Sequence, residues 1–237
     1  MDKSFLEKLE RMAEPHIVEV NAFNYTDKDL SVVETPRVST LEFNTIRGMT
    51  ELIKREFGAF DEAVIVNVRN HKTVEAHSGI NMCDRTRENP YVSTAELINI
   101  PFDKWLPYED MMIMLKSRFV ETPELLQVVQ LLGTITNEKS AQAVDDGFTQ
   151  TVVVRKGIAL KDNKVVKPIV KLKPYRTFNE VAQPESEFLL RLSENGTVAL
   201  FEADGGAWKL EARRNIANYI REELKELVEK GSVIVTE

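Results

Sequence analysis

Eight basic residues fall between positions 155 and 176: Arg155, Lys156, Lys161, Lys164, Lys167, Lys171, Lys173 and Arg176. One acid, Asp162, interrupts them. The cluster stands out because the chain of 237 residues carries a formal net charge of −7. On an extended strand, positions two apart share a face, so Lys167, Lys171 and Lys173 point the same way, with Tyr175 and Phe178 adjoining. Cationic side chains neutralise phosphates while aromatic rings stack on bases. Lys167, Lys171, Lys173, Tyr175, Arg176 and Phe178 are therefore the candidates for contact with nucleic acid, single-stranded DNA in particular. The same lysines also have an architectural use, since charge on an edge strand discourages further strands from adding. The acidic balance of the whole chain argues against a general nucleic-acid coat.

Glu202, Asp204 and the pair Gly205-Gly206 form a second group, with Glu185 upstream. Three carboxylates could ligate a divalent cation and so serve a metal-dependent hydrolase or nuclease. The simpler assignment makes Asp204 a helix cap and the glycines a turn; neither a P-loop lysine nor a GxGxxG pattern accompanies them. Arg176, Gln183, Glu185, Ser186 and Arg191 either line a recognition surface or form a buried hydrogen-bonded network that fixes the turn at Pro184. Cys83, His71 and His77 match no nucleophile–base signature, and three histidines with one cysteine lack the paired spacings of structural zinc. Asp145-Asp146 before Gly147 is explained by turn chemistry. No catalytic set emerges and no cofactor is implied, so binding rather than catalysis is the expectation.

The single cysteine excludes an internal disulfide and points to a reducing compartment. No apolar run is long enough to cross a membrane. The segment MDKSFLEKLERM reads as a charged amphipathic helix rather than a signal peptide. These features place the protein in the cytoplasm.

Periodicity supplies the elements that hold the candidates. Val165–Leu172 alternates as a strand, placed at a sheet edge because Pro168 cannot donate a ladder hydrogen bond. Ser186–Leu192 and Thr197–Ala203 alternate around Asn195-Gly196, the signal for a two-residue hairpin turn. Trp208, Ala212, Ile216, Ile220, Leu224 and Val228 recur at helical spacing, and Gly231 ends that helix. Ser232–Thr236 is a last strand, expected to return to the same sheet. Upstream, Asp2–Met12 is a helix and His16–Val33 is strand-like, with Ile17, Val18, Val20 and Phe23 as candidate core. Ser39 or Thr40 is expected to cap a helix over Leu41–Phe57. Ala63–Val68, Thr73–His77 and Tyr91–Ile98 suit a three-stranded meander. Pro107 and Thr122-Pro123 introduce two helices, each apolar on nearly every side and hence buried in the core or against another subunit. Ser140–Gly147 reads as a polar connection and Thr149–Lys156 as a strand.

The segments RTFNEVAQPESEFLLRL and ALFEADGGAWKLEA, between Tyr175 and Trp208 and just beyond, resemble the YfdQ-like proteins of phages and prophages, a domain of unknown function. IPFDKWLPYEDMMIMLKSRFVET and AVDDGFTQTVVVRKGIAL extend the likeness over roughly the last two thirds of the chain. The resemblance implies a phage origin, an α+β fold and no defined chemistry. It also implies a place among phage early genes near recombination functions.

The expectation is an α+β protein with antiparallel or mixed sheets covered by helices, a central two-helix hairpin and a long C-terminal amphipathic helix. Residues 1–135 and 136–237 form two halves, either separate or sharing one core. The leading functional expectation is a homo-oligomeric phage accessory protein that binds a phage or host protein, with single-stranded DNA along the lysine strand. The alternatives are the metal-dependent hydrolase built on Glu185, Glu202 and Asp204, and an acidic inhibitor of host defence.

Overall fold

The computed structural model describes residues 3–15, 17–20, 23–26, 37–59, 63–80, 85–137, 141–145, 150–156, 159–166, 168–193 and 196–237. Two compact units are present, Met1–Arg37 and Val38–Glu237. The first contains helix α1 (Lys3–Ala13) and an antiparallel pair, β1 (Ile17–Val20) and β2 (Phe23–Thr26). Of its candidate core residues, Ile17 and Val18 are exposed, and so are Phe5, Leu6 and Leu9 of α1. A unit this short has little with which to cover them. The side chains of Val20 and Phe23 lie outside the described residues.

The second unit is α+β with two cores. One lies between a five-stranded mixed sheet and helices α2 (Ile46–Glu56) and α5 (Trp208–Glu223). The strands, in spatial order, are β14 (Val233–Thr236), β4 (Val64–Asn70), β5 (Thr73–His77), β6 (Tyr91–Thr94) and β3 (Leu41–Phe43). The expected meander is its centre. Both outer strands run parallel to their neighbours. Val64, Val66 and Val68 alternate inward and are fully buried, against Ile46, Met49 and Ile53 of α2 and Ile216 and Ile220 of α5.

Two expectations change here. Leu41–Phe43 is a strand rather than the first turn of a helix, because it finds a parallel ladder beside Tyr91–Ser93. The helix starts at Ile46, and its cap is Thr45, whose Oγ1 accepts the Gly48 N–H at 3.2 Å. The last strand, β14, joins β4 and not the sheet of the preceding hairpin. Residues 233–236 therefore complete a sheet begun at residue 41, and a boundary near residue 135 does not divide the core.

The second core lies under a four-stranded antiparallel sheet, ordered β11 (Ile169–Leu172), β12 (Ser186–Leu192), β13 (Thr197–Glu202) and β7 (Leu106–Pro107). Helices α3 (Tyr108–Arg118) and α4 (Pro123–Asn137) pack on its inner face through Met111, Leu115, Leu125 and Leu132. Thr122 Oγ1 accepts the Leu125 N–H at 3.1 Å and caps α4. β11 is at the sheet edge, as Pro168 required. Its ladder is closed from outside by Glu124, which accepts the Lys171 N–H at 3.1 Å.

Val165–Leu172 is not one strand. It divides into the end of β10 (Ala159–Val166), in a three-stranded sheet with β9 (Gln150–Lys156) and β8 (Ala141–Asp145), and the start of β11. Pro168 interrupts the donor pattern between them. Part of the expected polar connection at 140–147 is thus the strand β8.

The C-terminal helix also breaks. α5 ends at Glu223 and a short α6 (Lys225–Glu229) follows Leu224, which has φ −105° and ψ 23°. A stripe at four-residue spacing drifts about 40° per step around a helix of 3.6 residues per turn. Leu224 ends the stripe at 1 % exposed, its N–H still donating to the Ile220 carbonyl at 2.9 Å, and the break follows it.

Candidate functional site: a caged arginine

Between β11 and β12 the chain crosses from one core to the other. Val170 and Leu172 belong to the core under the four-stranded sheet, Phe178 and Val181 to the core under the five-stranded one. Arg176 lies midway and is only 6 % exposed. Gln183 fixes the crossing: its Oε1 accepts the N–H groups of Arg176 at 3.0 Å and Thr177 at 3.3 Å, and its Nε2 donates to the Phe178 carbonyl at 2.9 Å. Thr177 Oγ1 donates to the His71 carbonyl at 2.6 Å, tying the crossing to β5's hairpin.

Three aromatic rings wall the guanidinium. Its carbon stands 3.9 Å from the Trp208 ring centre, 5.6 Å from Phe188 and 5.8 Å from Phe102. A weakly hydrated planar cation suits such a setting better than an ammonium. Phe102 itself stacks on Phe188 at 5.2 Å, 21° between planes. The turn that presents it puts Asp103 at φ 61°, with its N–H donating to the Leu200 carbonyl at 2.9 Å. Asp is among the few residues that tolerate this left-handed conformation.

The polar side of the cage is closed by Nη1 donating to Glu202 and Nη2 donating to Ser186 Oγ. Burial pulls the Arg176 pKa down to about 10, against the opposing pull of Glu202 and Asp204, and leaves the group charged at neutral pH. Asp204 sits beside it. Burial acts to raise the Asp204 pKa, but the Ser186 hydroxyl, the Gly206 backbone N–H, the Arg176 charge and the Trp208 backbone N–H together hold it below the ordinary value. Its Oδ1 accepts the Gly206 N–H at 3.0 Å. Gly206, at φ +83°, is in the left-handed region where only glycine is unstrained. The His71 ring meets Trp208 edge-on at 4.9 Å. Burial, then Lys209, Lys72 and Arg176, push the His71 pKa down.

The nucleic-acid candidates divide between two faces. Arg176 and Phe178, 1 % exposed, are interior and present nothing to a strand of DNA. Lys171 and Lys173 do share an outer face, but each faces an acid: Lys171 lies 3.5 Å from Glu187 and Lys173 3.9 Å from Glu185. Tyr175 is 36 % exposed. Lys167 lies outside the described residues, and so does Cys83.

Glu185, Glu202 and Asp204 do not converge. Even-numbered residues of β12 face the core and odd-numbered ones face away, so Glu185 continues the outer face. Glu202 pairs across the ladder with Phe188, on the inner face. Among the described residues no group of three or more His, Cys, Asp and Glu side chains is placed to hold a metal ion. His77 lies 3.5 Å from Glu75 on β5.

No protein-family model, curated protein or solved structure matches this chain.

One feature of the outer face was not legible from periodicity alone. Ile169 pairs with Leu189, and Leu189 with Phe201. Cross-strand partners share a face, so these three form an apolar row over β11, β12 and β13. Trp105 extends it, its ring 6.3 Å from Phe201 at 74°. The two-residue turn expected at Asn195-Gly196 would set Leu190 opposite Phe201. The ladder is shifted by one residue, with Leu192 opposite Val198 and the Ser193 N–H donating to the Thr197 carbonyl at 2.8 Å, and this puts Leu189 opposite Phe201.

Proposed function

We propose that the protein acts by binding another protein surface, without catalysis, through the outer face of the β11–β13 sheet. The apolar row Ile169–Leu189–Phe201 with Trp105 carries this reading. The solvated face of an antiparallel sheet is ordinarily polar. Here Ile169 is 46 % and Trp105 48 % exposed, while Lys171–Glu187 and Lys173–Glu185 form a charged rim beside the row. An apolar centre with a polar rim is the usual anatomy of a protein interface. The groups that could have done chemistry are occupied: Arg176 by its rings, Glu202 and Ser186, and Asp204 by the Gly206 turn. The likeness of Tyr175–Trp208 to YfdQ-like phage proteins supports an accessory role, and a second copy of this chain is the first partner to test.

Sedimentation equilibrium at micromolar concentration tests the reading. Wild type is expected as an oligomer, and Leu189→Glu as a monomer with an unchanged circular dichroism spectrum. A monomeric wild type whose added partner proteins bind Leu189→Glu equally well removes this face from consideration. Single-stranded DNA is the competing ligand, and the paired glutamates count against it. Binding that weakens steeply with salt and is lost in Lys171→Gln/Lys173→Gln would favour it instead.

A further inference from the structure

A cleft of about 580 Å³ opens in the second unit, at the ends of β3 and β6. These strands are parallel neighbours, so their carboxyl ends lie side by side. From β3 the chain turns through Asn44 and Thr45 into α2; from β6 it leaves through Ala95 and Glu96. The 177–180 segment of the crossing forms the remaining wall. In open sheets, ligands bind in the crevice outside the carboxyl ends of parallel strands, and this volume falls within the range of small-molecule sites. Most of the exposed wall is carbon, although seven of the ten lining residues carry polar side chains.

The polar groups select the ligand. A helix N-terminus ordinarily invites an anion, but this one is already supplied. Glu180 Oε1 accepts the Ile46 N–H at 2.9 Å and the Arg47 N–H at 3.4 Å, and Thr45 takes the Gly48 N–H. An anion would have to displace a carboxylate of the protein itself. Unfilled acceptor capacity lies instead on Glu96, which receives one hydrogen bond from Asn44 Nδ2 at 2.5 Å, and on the second oxygen of Glu180. An ionised carboxylate accepts at about four lone-pair positions. Arg47 is the basic side chain of the wall, and its charge also acts on Glu223 and Tyr219.

We propose that this cleft binds a primary alkylammonium group, its N–H donors on Glu96 and Glu180 and its methylenes against the carbon wall. The ammonium could belong to a free amine or to a lysine side chain of a partner; the chemistry at the site is the same.

Amide-resolved NMR titration of the full chain with n-butylamine at neutral pH tests this, with n-butyrate as the matched anion. Saturable shifts are expected at the amides of Asn44, Gly48, Glu96 and Asn179 with the amine and not with butyrate. Glu96→Gln, an exposed side chain whose loss leaves the fold intact, should weaken binding about tenfold or more, as expected for removing a charge-assisted hydrogen bond. Arg47→Ala should tighten it by removing the competing cation. Nα-acetyl-lysine N-methylamide, titrated in parallel, assigns the source: the tighter of the two ligands identifies a partner lysine or a free amine. The proposal is overturned if butylamine gives no saturable shifts, if butyrate matches it, or if folded Glu96→Gln and Arg47→Ala both bind as wild type does.

Discussion

Arg176 was legible in two ways, as one of a basic run and as a member of a buried network with Gln183 and Ser186. The structure has the buried network, but the rings that wall it were not legible. A cation in a run of cations reads as surface, and only the distant rings of Phe102, Phe188 and Trp208 make an interior site tolerable for it. No local pattern links positions 102 and 208 to 176. Asp204, by contrast, was readable as a turn-former, since Asp before two glycines has few other uses. Its pKa has a consequence for stability. The folded value is depressed below the ordinary 3.8, so its stabilising contribution is present above pH 3.8 and is lost as pH falls through the folded value. Asp204→Asn should therefore be less stable than wild type at pH 7. The gap should narrow as pH is lowered below 3.8. Urea unfolding at a series of pH values checks it; a gap that is constant with pH would show that the charge is not what matters.

Elements were more legible than their ends. The hairpin of β12 and β13, the meander of β4–β6 and helices α3 to α5 all follow from apolar spacing and turn residues. The failures have tertiary causes. Leu41–Phe43 has helical periodicity with the residues after it, yet a parallel ladder outweighs a weak propensity. The C-terminal helix breaks at Leu224, a buried side chain that ends the apolar stripe of α5. Leu224→Ala should cost about 2–5 kcal/mol, as for other buried leucines. The loss should be seen as a lower urea midpoint with the helix content of α5 retained. A cost near zero would mean that Leu224 is not packed in the core.

At the scale of the whole molecule, chain order misleads. A reader of the sequence sees an N-terminal half that ends in helices and a C-terminal half of sheet and helix. The fold instead sends α5 and β14 back to the first sheet, so that Ile216, Ile220 and Val233 are buried with Val64 and Val66. No single-sequence signal marks which of two sheets a terminal strand joins; both offer an edge, and parallel pairing to β4 leaves no local trace. Residues 1–135 alone should consequently fail to fold cooperatively, since β4 would lose its neighbour and α2 its packing partner. A sharp thermal transition for that fragment would contradict the shared core. The crossing at residues 173–183 joins the two cores, and the cage around Arg176 is where they meet. The central claim is that this cage is structural. Catalytic residues are commonly retained at a cost to stability, whereas a structural guanidinium is part of the packing. The direct test is equilibrium urea unfolding of Arg176→Ala beside wild type. A structural cage predicts a loss of about 2–4 kcal/mol, the size expected for emptying a packed interior site, while an unchanged or raised stability would show that Arg176 is held there for chemistry.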